Sequence, residues 1–408
     1  MSETETEIFN YIKKIRREIH QYPELSGEER NTADIVKREL AALNIKFKDG
    51  IAGYGILGVI ETGKEGPVIG VRADMDALPI QEKVNVPYKS EIDGKMHACG
   101  HDAHTAMLLG TAKYLLSNRT RLNGTILLIF QPSEENAPIG GAKPMLDAGL
   151  FESYKPDIIL AQHVWPSLPV GQFGVKAGPI MGASDRFEIT VKGKGGHASM
   201  PHQAVDTIVV LQQLISAFQT IISRNVDPFK NAVITLGKVD AGYRHNAIAD
   251  RANIEGTVRT MDAYTKGLIK KRMEKVIYHL CQAMDCEYEF NYIDGYPVTQ
   301  NYKKMSDFAK SAIIKQFGEG SCPEIEPSLA GEDFSRFLEK YKGVYFWLGA
   351  GRKDGNARPL HDPAFEIDEE ALKYGYEAMV NIIFDYCSAF ASSNDLVVSG
   401  ANKHKTKR

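Results

Sequence analysis

The chain of 408 residues is too long for one compact core and predicts two or three domains. Its apolar (43%) and charged (25%) fractions are ordinary for a globular protein, and the net charge of −3 argues against a nucleic-acid partner. The polar, acidic N-terminus does not resemble a secretory signal, and the most apolar short run, residues 126–130, is far too short to span a membrane, so we expect no membrane partner.

The first 183 residues predict alternating helices and strands. Helical periodicity covers residues 8–19 and 28–43, with Ser26 as a candidate N-cap of the second helix. Short apolar runs predict strands at 55–60, 67–71, 125–130 and 158–161, with helices at about 104–117 and 142–148. This order is typical of an α/β fold with a mostly parallel sheet.

The alternation of helices and buried strands stops at residue 184 and resumes near residue 298. Between these points, strands and helices follow the order of a ferredoxin-like α+β unit: strands at 186–192, 232–236, 252–259 and 287–292, helices at about 205–224 and 263–284. We therefore predict a catalytic domain of residues 1–183 and 298–390 and an inserted domain of residues 184–297. Residues 391–408 are polar and without periodicity, which predicts a disordered tail.

Polar side chains follow the predicted buried strands. Asp74 and Asp76 stand at the end of the second strand, Glu134 and Glu135 follow the third, and His163 follows the fourth. In open α/β sheets, sites form beyond the carboxyl ends of the strands. We therefore expect these side chains to lie around one site.

The segment from His97 to His104 has the composition of a metal site. His97, Cys99 and His101 alternate, and in an extended chain alternate side chains point to the same side. A thiolate and imidazoles that converge on one side can bind a metal ion. The odd number of scattered cysteines makes a disulfide framework improbable and indicates the reducing cytoplasm, where Cys99 is a free thiol.

The adjacent carboxylates Glu134 and Glu135 point in different directions at a strand end. One can bind metal while the other accepts a proton from water, the division of roles that a hydrolytic metal site needs. A solvated loop is an equally good interpretation of this pair alone. His163 and His361, taken singly, are more often structural residues than ligands.

Several motifs together resemble one enzyme family. They are residues 72–79 (RADMDALP), 97–104 (HACGHDAH), 131–135 (QPSEE), 195–199 (GGHAS), 246–250 (NAIAD), 258–260 (VRT), 330–334 (AGEDF) and 360–361 (LH). The chain is similar over residues 5–390 to the dinuclear metallo-amidohydrolases. That family includes N-acyl-amino-acid amidohydrolases, hippurate hydrolase and indole-acetyl-amino-acid hydrolases.

The resemblance implies a metal centre and a base. The residues that match its metal ligands are Cys99, His101, Glu135, His163 and His361. They would hold two divalent ions (Mn, Zn, Co or Ni), and the Cys99 thiolate stands where other branches carry a bridging aspartate. Glu134 matches the catalytic acid/base.

The inserted domain matches a lid that usually forms the dimer interface, so a homodimer or higher homo-oligomer is expected. His197 matches a lid histidine that stabilises the oxyanion, often in the neighbouring subunit. Asn246 and Arg259 match residues that bind the substrate carboxylate, and an Arg fork can bond both carboxylate oxygens.

The chain departs from the wider superfamily at Arg72-Ala-Asp74, where a His-x-Asp motif is usual. Asp74 is therefore expected to support the ligands rather than to bind metal, and Asp102 either does the same or lies at a helix N-terminus. The residues Arg244 and His245 also depart from the usual lid sequence, which leaves the details of acyl and amino-acid binding open.

The predicted function is hydrolysis of N-acyl amino acids to a carboxylic acid and a free amino acid. The first alternative is a dipeptidase or aminopeptidase with the same dinuclear site. Such an enzyme needs an acidic partner for a free substrate amine, and none stands out in the sequence. The second alternative is a catalytically silent metal-binding scaffold, but a silent site has no need to keep a base at Glu134.

Overall fold

A seven-stranded sheet and a four-stranded sheet organise the computed structural model, which describes residues 3–352, 355 and 357–401. The helices within these ranges are α1 (Glu3–Gln21), α2 (Arg30–Ala42), α3 (His101–Ser117), α4 (Ala142–Asp147), α5 (Thr207–Asn225), α6 (Ala263–Ala283), α7 (Lys303–Phe317), α8 (Ser335–Leu338) and α9 (Glu370–Ala401). The strands are β1 (Lys46–Ile51), β2 (Gly55–Glu61), β3 (Val68–Asp74), β4 (Thr125–Gln131), β5 (Ile158–Pro169), β6 (Phe173–Gly174), β7 (Gly178–Met181), β8 (Ala183–Lys192), β9 (Gly196–His197), β10 (Ala232–Ala241), β11 (Ala247–Ile248), β12 (Arg251–Thr260), β13 (Glu287–Tyr296), β14 (Thr299–Asn301) and β15 (Gly343–Gly351).

The larger sheet has the order β1-β2-β4-β3-β5-β15-β6. Its four central strands, β4, β3, β5 and β15, are parallel, whereas β1, β2 and β6 pair antiparallel at the edges. The central strands are buried on both faces, since α1, α3 and α9 cover one face and α4 and α8 the other. The predicted α/β class is confirmed, with a sheet that is parallel in its centre and mixed at its edges.

The smaller sheet has the order β10-β12-β8-β13 and is antiparallel throughout. With α5 and α6 on one face it forms a β-α-β-β-α-β unit with its own apolar cluster, which includes Phe187, Phe218, Ile254 and Met273. This topology is the ferredoxin-like arrangement expected from the alternating pattern of the strands. The limits of the two domains stay a prediction.

Two elements near the site differ from the prediction. Helix α3 begins at His101 rather than His104, because Gly100 in the left-handed region (φ +85°) turns the chain directly into the helix. Strand β5 continues past His163 to Pro169, because β15 runs beside it in parallel register and pairs Trp347 with His163. His163 therefore lies within a strand pair and not at a free strand end.

The C-terminal helix is longer than expected. Helix α9 includes residues 391–401, for which we predicted disorder. No proline interrupts this stretch, so the backbone can keep helical hydrogen bonds. The remaining part of the predicted tail, residues 402–408, lies outside the described residues. Within the described part of the chain, we find no helix long and apolar enough to cross a membrane.

Candidate metal centre

Cys99, His101 and His163 place three ligand atoms together beneath the end of β3. Their sulfur and ring nitrogens all lie within 4.8 Å of one another, and Cys99 Sγ is 3.4 Å from His163 Nε2. The turn between the first two residues requires glycine at position 100, since a Cβ there would lie 2.4 Å from Val164 Cγ2. The sequence pattern at residues 97–104 thus becomes a compact group of soft and borderline donors.

Cys99 also belongs to a second group, with Glu135 and His361. His361 Nε2 lies 3.1 Å from Glu135 Oε1, and the His361 amide donates to the Ala98 carbonyl at 2.8 Å. The His361 side chain is half exposed, and its backbone has a φ of +67°. Because Cys99 is common to both groups, the five predicted ligands form two adjacent groups around one sulfur.

Hydrogen bonds behind the rings show which histidine nitrogens are free. The Val164 carbonyl can only accept, so His163 Nδ1 carries a proton and donates it at 2.7 Å, which leaves Nε2 with a lone pair. His101 Nδ1 lies 3.1 Å from Asp76 Oδ1, and its buried Nε2 has no hydrogen-bond partner among the described residues. A buried ring nitrogen without a partner fits a metal ligand.

His104 is different, because both of its nitrogens are used. Nε2 accepts from the Val164 amide at 2.9 Å, and Nδ1–H donates to Asp74 Oδ1 at 2.6 Å. Asp74 also accepts from Arg72 Nη1 at 2.6 Å. His104 and Asp74 therefore bond to each other beside the ligand groups, which fits the supporting role predicted for Asp74.

The charge balance of the metal-free site favours a bound cation. Burial opposes a charge on His101, but the carboxylates of Asp74 and Asp76 outweigh it and raise the pKa of His101 to about 10. Burial, followed by the carboxylates of Glu135 and Glu134, raises the pKa of the Cys99 thiol well above its usual range. A divalent cation would offset this negative field and allow the thiolate to form.

Glu134 lies beside these ligands in a protected position. Its side chain is 7% exposed, and one carboxylate oxygen lies within 4.8 Å of ligand atoms of His101 and Glu135. Burial, and then the carboxylates of Glu332 and Glu135, raise the pKa of Glu134 well above its usual range. A carboxyl group that holds a proton this readily is suited to accept and return one.

The two ligand groups open into a cavity of about 580 Å³. Cys99, Glu134, Glu135, His163 and His361 line one end, and the smaller sheet forms the opposite wall. Arg259 lies in that wall, where burial lowers its pKa, and it pairs with no carboxylate among the described residues. Its neighbour Asp185 bonds instead to Lys266, Tyr292 and the Gly295 amide. The Arg259 guanidinium is thus available to an anionic ligand.

Two predicted site residues do not reach this cavity. His197 is exposed on the two-stranded ribbon of β9 and β11, where it pairs with Ala247, and its Nδ1 accepts from the Ser199 hydroxyl at 2.7 Å. Asn246 is exposed beside it. Neither residue is among those that line the cavity. They lie together on the surface of the inserted region, away from the ligands of their own chain.

Asp102 lies in the first turn of α3, which is one of its two predicted roles, whereas its contacts do not fit the other, support of the ligands. Its carboxylate points toward α1 and accepts from Arg16 Nε and His20 Nδ1, each at 2.7 Å. Successive residues of a helix point in different directions, so the neighbour of His101 faces away from the metal groups. The residue that does the supporting is Asp76, which the sequence placed at the site without a role.

Asp76 connects two of the ligands. One of its oxygens lies near His101 Nδ1, and the other accepts from the Glu135 amide at 2.9 Å and from the Ser26 hydroxyl at 2.6 Å. Ser26, which we expected to cap α2, therefore holds this carboxylate instead. The alternation of Asp74 and Asp76 after a buried strand was the available signal, since alternate residues face the same side.

Known proteins share this fold and sequence over most of the chain. A family model described as peptidase family M20/M25/M40 matches residues 70–385. N-acetylcysteine deacetylase of Bacillus subtilis (strain 168) is 40% identical over 359 residues, which cover 88% of this chain and 92% of that protein. Thermostable carboxypeptidase 1 of Saccharolobus solfataricus is 40% identical over 373 residues, or 90% of this chain and 93% of that protein.

The crystal structure of YXEP from Bacillus subtilis, described as a dinuclear metal binding peptidase from the M20 family, superposes with a TM-score of 0.81 at 35% identity. The match covers 94% of this chain and 99% of that one. A family model over most of the chain and relatives of this similarity confirm the resemblance that the motifs indicated. The chain belongs to peptidase family M20/M25/M40.

Proposed function

We propose that the protein is a metal-dependent amidohydrolase that cleaves N-acyl amino acids to a carboxylic acid and a free amino acid. The observation that carries this proposal is the arrangement of two ligand groups around Cys99 beside Glu134, in a cavity that also exposes Arg259. The deacetylase relative, named for N-acetylcysteine, supports the same reaction class.

In the proposed centre, Cys99, His101 and His163 would hold one divalent ion, and Cys99, Glu135 and His361 would hold the other. The similarity to YXEP, a dinuclear metal binding peptidase, supports two ions rather than one. Divalent ions in such a site lower the pKa of water to about 7 and polarise a carbonyl oxygen. The mixed sulfur, nitrogen and oxygen donors accept Mn²⁺, Zn²⁺, Co²⁺ or Ni²⁺.

The side chains of this chain perform the proton transfer and the binding. Glu134 accepts a proton from the attacking water and returns it to the nitrogen of the leaving amine. Arg259 bonds the carboxylate of the amino-acid half, which places the scissile amide between Glu134 and the ligands. Asp74 and Asp76 keep the imidazoles oriented through the reaction.

His197 and Asn246 act on a neighbouring subunit in this proposal. Both are exposed on the inserted region of residues 184–297, and neither lines the cavity of its own chain. A homodimer formed through this lid would bring His197 and Asn246 to the substrate bound in the partner subunit. His197 would face the amide oxygen of that substrate, and Asn246 would face its carboxylate. The five free cysteines support our placement of the protein in the reducing cytoplasm.

A peptidase is the second candidate, because thermostable carboxypeptidase 1 is equally similar. An aminopeptidase would need a carboxylate for the free substrate amine. The acidic groups on the sheet side of the cavity are already paired, Asp185 with Lys266 and Glu255 with Lys238 and Arg186. This pairing favours a substrate without a free amine, such as an N-acyl amino acid, over a substrate with a charged N-terminus.

The test is turnover by the metal-loaded protein. Purified protein is loaded with Mn²⁺, Zn²⁺ or Co²⁺ and assayed with N-acetyl, N-benzoyl and N-indoleacetyl amino acids beside unblocked dipeptides. We expect hydrolysis of the acylated substrates. Turnover of dipeptides alone would replace the proposed substrate class with a peptidase, and metal binding without turnover of any substrate would support the silent scaffold.

A further inference from the structure

Three side chains form a row across the smaller sheet, facing the cavity. Ser184 on β8 pairs in register with Arg259 on β12 and with Tyr296 on β13. Directly paired residues of an antiparallel sheet lie on the same face, and all three line the cavity. Tyr296 is already engaged, because its hydroxyl donates to the Glu134 carbonyl at 2.5 Å. The remaining two, Ser184 and Arg259, lie side by side.

The Ser184 hydroxyl is buried without a partner. The residue is 7% exposed, and its Oγ has no hydrogen-bond partner among the described residues. Buried hydroxyls are nearly always bonded in folded proteins, so one that is not bonded next to a cavity points to a partner that arrives with a ligand.

Gly331 lets the hydroxyl and the guanidinium come close together. A Cβ at residue 331 would lie 2.6 Å from Ser184 Oγ and 3.3 Å from Arg259 Nη1, so both donors pack against this glycine and a side chain there would collide with them. Both donors therefore lie close to one point, near enough for one carboxylate to bond both.

The Ser184 hydroxyl and the Arg259 guanidinium together favour an anion with several acceptor sites. A guanidinium fork fills two of the roughly four lone-pair directions of a carboxylate and leaves the others to further donors. The nearby carboxylate of Asp185 does not compete, since it is bonded to Lys266 and Tyr292.

We propose, on the basis of the proposed function, that Ser184 is a substrate-binding residue whose hydroxyl donates to the carboxylate of the N-acyl amino acid beside Arg259. Glycine at residue 331 leaves both donors without a competing side chain. Together the three positions make the enzyme selective for substrates with a free α-carboxylate over their α-carboxamides.

The kinetic test compares each N-acyl amino acid with its α-carboxamide. Ser184→Ala is expected to lower kcat/KM for the acid roughly tenfold or more, through KM, and to change that of the amide much less, since hydrogen bonds to charged groups are the stronger ones. Ser184→Thr, which keeps the hydroxyl, restores the preference. Thr260→Val is the matched control, because Thr260 Oγ1 is also buried and unbonded among the described residues but does not line the cavity.

A binding measurement tests the role of Ser184 independently of hydrolysis. In the Glu134→Gln background, calorimetry with an N-acetyl amino acid should show a dissociation constant roughly tenfold larger when Ser184→Ala is added. Equal losses for acid and amide, or no loss, would overturn the role of Ser184. If wild-type protein binds N-acyl amino acids without hydrolysing them, the proposed function fails and this binding result still decides the role of Ser184. Absence of any such binding overturns both.

Discussion

The protonation of individual rings decides which residues of the cluster can bind metal. His163 and His101 each use Nδ1 in a hydrogen bond away from the ligand group. His163 Nε2 then faces Cys99 Sγ, and His101 Nε2 has no partner among the described residues, whereas His104 uses both nitrogens elsewhere. The assignment therefore follows from partners behind the site and not from distance alone, since all three rings lie close together. Metal binding at neutral pH requires the bound His101 to be unprotonated, which a cation enforces.

Glu134→Gln tests the base at the residue scale. The amide cannot accept and return the proton, so we expect kcat to fall by about 10²–10⁴-fold or more. Metal content should stay at the wild-type value, because Glu134 is not one of the proposed ligands. Activity that survives the substitution, at unchanged metal content, would show that another residue is the base.

Asp76 and Asp102 allow a paired test that separates an effect on metal affinity from an effect on the stability of the fold. Asp76→Asn weakens the orientation of His101 and the Glu135 loop, and should reduce metal affinity about 10–100-fold in titrations. Asp102→Asn leaves Arg16 and His20 buried with a poorer partner and should lower the free energy of unfolding by roughly 3 kcal/mol, measured by denaturant unfolding. A loss of metal affinity in Asp102→Asn as large as in Asp76→Asn would contradict the separate roles.

At the scale of elements, the loop of residues 133–135 is held from three directions. The Ser133 amide donates to Glu29 at 2.7 Å, the Glu134 carbonyl accepts from Tyr296, and the Glu135 amide donates to Asp76. Ser133 has a φ of +60°, unusual for a residue with a Cβ, and these bonds stabilise it. Helix α2, the smaller sheet and the end of β3 thus jointly position the base.

Glu29 gives this loop a pH-dependent contribution. Burial, and then the charge of Asp76, raise the pKa of Glu29 to about 7. A carboxyl group whose pKa is higher in the folded state than in the unfolded state binds a proton more tightly in the folded protein. The folded protein therefore loses stability as the pH rises from the unfolded-state pKa to the folded-state pKa. In the metal-free protein, Glu29 should therefore contribute a fall of up to about 3 kcal/mol in the unfolding free energy between pH 4.5 and 7. Glu29→Gln, which keeps an acceptor for Ser133, should remove this contribution and leave that of other buried carboxyls such as Glu332, whose pKa is also raised to about 7. An unchanged slope would contradict the role of Glu29.

At the scale of the whole molecule, the structure brings together the predicted ligands and Glu134, and it adds residues to the site that the sequence did not indicate. The motifs indicated the five candidate ligands and Glu134 because each carries an unusual residue type at a buried strand or turn. They did not reveal the position of Ser184 or the contacts of Asp102 with α1, because these depend on strand register and on the direction of a helical side chain. Hydrophobic periodicity carries no information of that kind.

The exposed position of His197 makes a prediction about the assembly. If His197 serves a neighbouring subunit, His197→Ala and Glu134→Gln should each be nearly inactive alone. A mixture of the two, refolded or co-expressed to form hybrids, should recover roughly a quarter of wild-type activity, because half of the dimers are hybrids with one complete site each. No recovery in a mixture shown to contain hybrids would place His197 in its own subunit.

The central claim is that one sulfur, Cys99, is shared by two metal sites, and metal analysis of Cys99→Ala tests it most directly. After loading with Zn²⁺ and removal of free ions, wild-type protein should retain two ions per chain, and Cys99→Ala should lose most of both. Cys322→Ala, which removes a buried thiol outside both ligand groups, should retain the wild-type content. Full occupancy in Cys99→Ala would contradict the shared ligand.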